Sequence, residues 1–416
     1  MLKKFRWYWL ICWGTVLSLA LSYTAHAQGS IGFVLPPDRK MVEVPFEEYS
    51  NLIVVPVTIN NFLTLKFILD TGAESAILTE KLFGDILGLQ YVRDITIQAP
   101  GVQDSLQAYV ATGLHLALPG GIQGRSINML VLKHDYLELN KNLGEEIYGI
   151  LGYDLFNRFV VNVDYDDKVI RFYRPEHYKP KRSAQEIPLE VTNTKPFVQM
   201  TVSQKDRTDS VKLMVDTGAS HALLLDVRNM NDIAFPEKLL TSRLGQGLGG
   251  EIPGFLGRMS ECSIGGYEFD EVLSSIPIDG AYIKAIKRGS RHGTIGGDLL
   301  TRFNVTFDYP NQKLYLKRSN RFHDEFDFDM SGITLGAVGK KLDSLVVRRI
   351  QDETPAADAG ILPGDVVLKV NGLNLRNATM GEITDLLRKK DGFKVRIVIW
   401  REGKKEKKVF RLRRMI

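Results

Sequence analysis

The stretch Phe67-Ile68-Leu69-Asp70-Thr71-Gly72-Ala73 recurs 146 residues later as Leu213-Met214-Val215-Asp216-Thr217-Gly218-Ala219. Three bulky apolar residues in a row read as a buried strand, and the glycine lets the chain turn closely behind it. Each copy therefore delivers one carboxylate at a strand end. Working outward, Gly149-Ile150-Leu151-Gly152-Tyr153-Asp154-Leu155 returns as Gly293-Thr294-Ile295-Gly296-Gly297-Asp298-Leu299 at a shift of 144, and the likeness runs on through Asp164-Tyr165 to Asp308-Tyr309. Glu43-Val44-Pro45-Phe46 matches Glu186-Ile187-Pro188-Leu189 at a shift of 143. Three anchors in one order at nearly constant spacing make two copies of one unit.

Each copy reads as β. Leu52 to Ile59 and Phe197 to Val202 are rich in Val, Ile and Thr with partial alternation. Val160 to Tyr165 and Val169 to Tyr173 flank Asp166-Asp167-Lys168, a hairpin signature; Asn304 to Tyr309 and Lys313 to Lys317 repeat it around Pro310-Asn311. The second copy lacks the turn acids, which favours a turn over a calcium loop. Helices are short, the clearest being Asp154 to Phe159 and Asp298 to Phe303, each opening with an Asp placed as an N-cap. Asn320 to Met330 is polar, acidic and aromatic and reads as a linker. Beyond it the charge changes sign: residues 331–416 hold 19 Lys/Arg and 10 Asp/Glu, against 32 and 39 in residues 28–330.

The 416 residues, 44% hydrophobic and 25% charged, exceed one ordinary core and exclude collagen-like, disordered and polytopic membrane classes. A net charge of +5 is too mild to argue for nucleic acid. Lys3, Lys4 and Arg6 precede an apolar run and then Ala25-His26-Ala27, the layout of a signal peptide cleaved after Ala27. A periplasmic or secreted location follows, with no stable membrane span after cleavage. Of the two cysteines, Cys12 falls in that leader, so Cys262 alone remains; this excludes a disulfide framework and a Cys-based zinc site. The expected fold is mainly β: a signal peptide at 1–27, two pseudo-symmetric β lobes at 28–182 and 183–320, a linker at 321–330 and a small α/β domain at 331–416.

If the two copies pack about a pseudo-twofold axis, Asp70 and Asp216 face each other. Two touching carboxylates do not both ionise cheaply, so the pair holds one shared proton near neutrality. One oxygen then acts as base on a bridging water while the protonated partner donates to a carbonyl, which is amide hydrolysis without a metal or cofactor. Paired Asp-Thr-Gly-Ala motifs, each followed about 80 residues later by a hydrophobic-hydrophobic-Gly element, resemble the aspartic proteases, and Asp-Thr-Gly-Ala is similar to the retroviral, retropepsin-like side of that superfamily. The viral enzymes assemble from two identical chains, whereas this chain resembles a fused double domain over roughly residues 40–320.

The resemblance implies that Asp70 and Asp216 are the catalytic dyad, that Thr71 and Thr217 tie the two turns together, and that Gly72 and Gly218 touch a bound peptide. The hydrophobic-hydrophobic-Gly elements are Ile150, Leu151, Gly152 and Thr294, Ile295, Gly296; Thr294 departs from the pattern. A glycine-rich flap is implied around Gly247, Gly249 and Gly250, with no matching glycine run near Ala99 to Tyr109.

Residues 331–416 resemble a PDZ domain through Thr354-Pro355-Ala356-Ala357-Asp358-Ala359-Gly360-Ile361-Leu362-Pro363-Gly364-Asp365, a strand over Val366 to Val370 and a helix from about Met380. Such a domain implies a C-terminal peptide ligand whose carboxylate meets Gly332, Ile333, Thr334 and Leu335, with Thr334 standing where a second glycine is usual. The expected function is aspartic endopeptidase action on peptide or protein substrates, the PDZ domain recruiting substrate or partner C-termini. The rival is a non-catalytic peptide-binding adaptor on the same scaffold. No H-E-x-x-H or G-x-S-x-G motif occurs, and His115, His134, His177, His292 and His323 are scattered. His221 alone lies close to a dyad motif. Cys262 reads as a packing residue.

Ala73 and Ala219 follow the dyad glycines where pepsin-type lobes carry a hydroxyl. A donor there stabilises the ionised dyad, so its absence predicts a mildly acidic optimum. The double substitution Ala73→Ser, Ala219→Ser should move the acid limb of the pH–rate profile downward, and an unmoved limb refutes the idea.

Overall fold

The computed structural model describes residues 31–97, 105–230, 233–247, 250–278, 281–288, 290–375 and 378–416; the leader lies outside them. Its middle is a six-stranded antiparallel sheet in the order Gln185–Pro188, Lys313–Arg318, Phe303–Asp308, Val160–Asp164, Val169–Tyr173, Met41–Pro45. Three strands come from each copy. The copies meet where Val161, Asn162 and Val163 pair with Phe307, Thr306 and Val305, and Asn162 Nδ2 donates to Thr306 Oγ1 at 2.9 Å. Positions 162 and 306 are one repeat apart, so the pseudo-twofold passes through this pair. Every residue of Phe303–Asp308 is buried, as expected of a strand covered on both faces.

Each copy adds its own sheet. The first runs Gly32–Val34, Ile122–Leu132, Ala76–Leu78, Ile147–Leu151, Leu63–Leu69, Leu52–Ile59, Leu106–Leu118, Tyr91–Ile97. The second runs Glu190–Thr192, Lys195–Gln204, Arg207–Val215, Gly293–Ile295, Leu223–Leu225, Tyr267–Pro277, Gly250–Ile264, Leu240–Gly247. In both, the strand feeding the Asp turn lies parallel to the hydrophobic-hydrophobic-Gly strand, with Leu69 beside Leu151 and Val215 beside Ile295. One apolar core runs through both copies and the shared sheet and includes Leu69, Phe156, Val163, Val215 and Phe307.

Two local expectations change. The short helices are Tyr153–Phe156 and Gly297–Leu300, with Gly152 and Gly296 at their N-caps. Asp154 and Asp298 sit at the second helical position and neither side chain caps. Each helix starts two residues earlier than an Asp cap would place it, because the chain must pass tightly beneath the Asp turn, and only glycine fits there. The polar segment after Asn320 has no regular structure, yet its apolar residues are all inside. Phe322 and Phe326 belong to the lobe core, Phe328 and Met330 to the core of the C-terminal domain. Arg302, itself buried, stacks on Phe326 at 3.7 Å and donates from Nη2 to the Asp324 and Glu325 carbonyls at 3.1 and 3.0 Å.

The C-terminal sheet runs Ile333–Val338, Ser344–Ile350, Val366–Val370, Lys394–Arg401, Lys404–Arg411, and helix Met380–Leu387 opens with a Thr379/Glu382 capping box. Leu240, Leu256 and Leu273 of the second lobe pack on its core, and Arg348 reaches Glu138 of the first lobe at 3.0 Å. Among the described residues no helix is long and apolar enough to cross a membrane.

Arg302→Ala takes a donor from three carbonyls, those of Asp298, Asp324 and Glu325, and removes the cap on Phe326, so it should cost about 2–4 kcal/mol in denaturant unfolding. A loss below about 0.5 kcal/mol, the range of ordinary surface substitutions, would show that this arginine does not fix the connection.

Candidate active site

The two Asp turns are interlocked. Thr71 N–H donates to Thr217 Oγ1 at 3.0 Å, and Thr217 N–H donates to Thr71 Oγ1 at 3.0 Å. Each hydroxyl then donates across the axis to the opposite strand, Thr71 Oγ1 to the Val215 carbonyl and Thr217 Oγ1 to the Leu69 carbonyl, both at 2.7 Å. Both threonines are buried, so these four bonds satisfy groups that water does not reach. The Asp residues are held from below by Asp70 N–H to Leu151 O at 2.7 Å and Asp216 N–H to Ile295 O at 2.9 Å.

Glycine is required at four places. A Cβ on Gly72 would lie 2.9 Å from Oδ1 of both Asp70 and Asp216, and one on Gly218 would lie 2.3 Å from Asp70 Cγ. On Gly152 it would sit 2.2 Å from the Ala73 carbonyl, and on Gly296 2.3 Å from the His221 carbonyl. All four are closer than side-chain carbons approach. Thr294, the departure from the pattern, is buried and its hydroxyl has no hydrogen-bond partner.

Asp70 Oδ1 accepts from the Gly72 amide at 2.5 Å and Asp216 Oδ1 from the Gly218 amide at 2.9 Å. Burial pushes the Asp70 carboxyl well above the usual carboxylate range. The Asp216 charge and hydrogen bond push the same way, while the Gly72 amide and the Lys195 ammonium oppose them. Two carboxyls this close do not both ionise cheaply. His221 is neutral here: burial holds its imidazole down at about 4 despite the nearby Asp216.

Lys195 was not legible from the motifs. It is mostly buried, and its Nζ donates to the Gly72 carbonyl. Burial lowers its pKa, and Asp70 and Asp216 act in the opposite direction. Phe197 pairs with Met214 as Val54 pairs with Ile68, so Lys195 stands where the first copy has Leu52. The register set by the 143-residue shift is the signal that could have found it.

Asp70, Gly72, Asp216 and Gly218 open on a cavity of about 1410 Å³ that also reaches Ile150. A hairpin from each copy lines it: Leu240–Gly247 with Gly250–Ile264, and Tyr91–Ile97 with Leu106–Leu118. The second-copy flap candidate is thus a hairpin, with Gly247 paired to Gly250, while Gly249 lies outside the described residues. The first copy has the equivalent hairpin although its sequence lacks the glycines; most of its tip, 98–104, also lies outside the described residues.

The C-terminal domain forms the remaining wall through Gly332, Ile333, Thr334 and Leu335. Two of the four amides expected to meet a ligand carboxylate, those of Gly332 and Ile333, are engaged by a carboxylate of the chain itself. Asp329 accepts from Ser331 N–H at 2.9 Å, Gly332 N–H at 3.1 Å and Ile333 N–H at 3.0 Å, and from Ser331 Oγ at 2.6 Å. Gly332, at φ +81°, lies tight against Thr354, and Ile333 begins the edge strand.

A family model described as an aspartyl protease matches residues 55–155, and one described as a PDZ domain matches residues 346–401. The chain therefore carries an aspartyl protease-like domain followed by a C-terminal PDZ domain on a mainly β architecture. It is also similar to a probable CtpA-like serine protease of Staphylococcus saprophyticus, 35% identical over 88 residues, a stretch that is 21% of this chain and 18% of that protein. Together these matches support a peptidase, and the PDZ domain supports peptide binding.

Proposed function

We propose that this chain is an aspartic endopeptidase, periplasmic or secreted, in which Asp70 and Asp216 share one proton and activate water against a peptide bond. The observation that carries the reading is the interlock: two Asp-Thr-Gly turns cross-bonded by Thr71 and Thr217, with both carboxyls facing one cavity. The serine type in the relative's name is a statement about that protein, and the shared stretch is less than a fifth of its length. The aspartic type rests on Asp70 and Thr71 lying inside the aspartyl protease match.

In this reading the ionised carboxyl takes a proton from water as the water oxygen attacks the scissile carbonyl carbon, and the protonated partner donates to the carbonyl oxygen. The carboxyl that took the water proton then gives it to the leaving nitrogen, and the other carboxylate takes a hydroxyl proton of the tetrahedral intermediate as the C–N bond breaks, which restores the shared-proton state. Gly72 and Gly218 leave their backbones bare for the peptide, and the two hairpins close over it. The lobes are residues 28–182 and 183–320, and the PDZ domain at 331–416 orients the substrate as a wall of the cleft.

Full chain incubated with a mixed peptide library between pH 3 and 8 should cleave. Asp70→Asn and Asp216→Asn should each lose about 10³-fold or more with thermal midpoints unchanged. Parent and variants that are equally inactive, with a peptide still bound, would instead favour the adaptor.

Lys195 tests the electrostatics. Its charge favours the ionised dyad, so Lys195→Met should raise the dyad's titration and carry both limbs of the pH–rate profile upward by about half a unit to one unit. A profile that stays in place would show that the ammonium is not felt at the dyad.

A further inference from the structure

The C-terminal sheet sorts its charge by face. In the hairpin of Lys394–Arg401 and Lys404–Arg411 the inward side is apolar or paired. Val395, Ile397, Ile399 and Phe410 enter the domain core, Arg401 meets Asp365 at 2.6 Å and Lys408 meets Glu406 at 3.0 Å. Alternation along each strand puts the remaining residues on the other side. There Trp400 stands opposite Lys405, Val398 opposite Lys407, Arg396 opposite Val409 and Lys394 opposite Arg411. The next strand in adds Val366 beside Trp400 and Lys369 beside Val398. All six cations of this face lack a carboxylate within 4.0 Å among the described residues. The hairpin's second acid, Glu402, belongs to its turn.

Basic residues along the last strand of a sheet guard it against pairing with another chain. That duty covers Lys405, Lys407 and Arg411. It does not cover Lys394, Arg396 and Lys369, which lie on strands paired on both sides. Nor does it explain the apolar members: Trp400 is 41% exposed and Val409 46%, set between cations on a face that solubility alone would keep polar. Cations crowded around an exposed indole suit a partner that is anionic and apolar at once. A bilayer is both, with charged headgroups outside and hydrocarbon just below. Tryptophan settles at that boundary while lysine and arginine stems reach the phosphates. A nucleic acid or an acidic protein would neutralise the cations and leave the valines bare.

We propose that this face, centred on Trp400, docks the protein on a membrane carrying anionic phospholipid, lying on the surface and not crossing it. The attraction is electrostatic before it is apolar, so the contact is reversible and sensitive to salt. It is independent of the dyad: it gathers whatever the cleft binds at a lipid surface, whether or not that ligand is cut.

Trp400 is the only tryptophan after residue 27, the others being Trp7, Trp9 and Trp13, so in a chain beginning at Gln28 its fluorescence reports this face alone. That chain keeps every described residue. It is mixed with vesicles of phosphatidylcholine alone or with an equal amount of phosphatidylglycerol. It should sediment with the anionic vesicles only, its emission should move to the blue and resist an aqueous quencher, and both changes should fade between about 0.05 and 0.5 M salt. Lys405→Glu with Lys407→Glu should weaken the apparent Kd by about thirtyfold or more, and Lys405→Arg with Lys407→Arg should bind as the parent does. Lys179→Glu with Lys181→Glu, an equal charge change at exposed positions between the lobes, should stay within about threefold. Binding that ignores the anionic lipid, or that falls equally in the two glutamate variants, overturns the proposal. So does sedimentation with the Trp400 emission unmoved. A DNA duplex or poly-glutamate that moves this emission at lower concentration than the vesicles, at the same salt, assigns the face to another polyanion and overturns it too.

Discussion

Everything in the cleft depends on the reciprocal bonding of Thr71 and Thr217. Each threonine spends its amide and its hydroxyl on the other copy, and each hydroxyl bridges to a carbonyl of the strand that delivers the opposite carboxyl. Losing one partner strands buried groups on both sides of the axis, so neither turn keeps its shape without the other. The glycines follow from the same closeness. A carboxyl that must sit within hydrogen-bond reach of its twin leaves no room for a β-carbon on the residue two places on. The lattice also fixes the chemistry available, because it holds two acids closer than two full charges tolerate in a site shielded from water.

The doubled fold was legible because the repeat is written in residues that packing does not let vary: Asp-Thr-Gly-Ala, the glycine directly after the parallel strand, and the Asp-Tyr pair ending each hairpin strand. The strand over Leu52–Ile59 was read to the residue. The central sheet was not anticipated as a shared object, since nothing in Val160–Asp164 announces that its neighbour is Phe303–Asp308. The misplaced helix caps and the first-copy hairpin have one cause. Aspartate before an apolar run is a cap signal only if the chain is free to begin its helix there, and glycine is only one way of making a hairpin tip.

The C-terminal domain was recognisable from its sequence, but its surroundings were not. Asn320 to Met330 looked like a polar spacer because its acids outnumber its aromatics, yet four apolar residues there divide between two cores. A segment anchored in both bodies is a weld. Lys195 was missed for the opposite reason: a single basic residue carries no motif, and it acquires meaning only when the fold turns it toward the same cavity as the dyad.

The shared six-stranded sheet also bears on the order in which the chain is made. Synthesis runs from the N-terminus, so Val160–Asp164 exists well before its neighbour Phe303–Asp308. For the length of one whole repeat the first lobe carries a bare row of backbone donors and acceptors along an apolar strand, the kind of edge that recruits another chain. Because the two copies are so alike, the partner that best fits this edge in the interval is the same edge of a second nascent molecule. The fused gene removes that competition by tethering the correct strand about 140 residues away. What the symmetric arrangement obtains by meeting in solution, this chain obtains by waiting for its own second half.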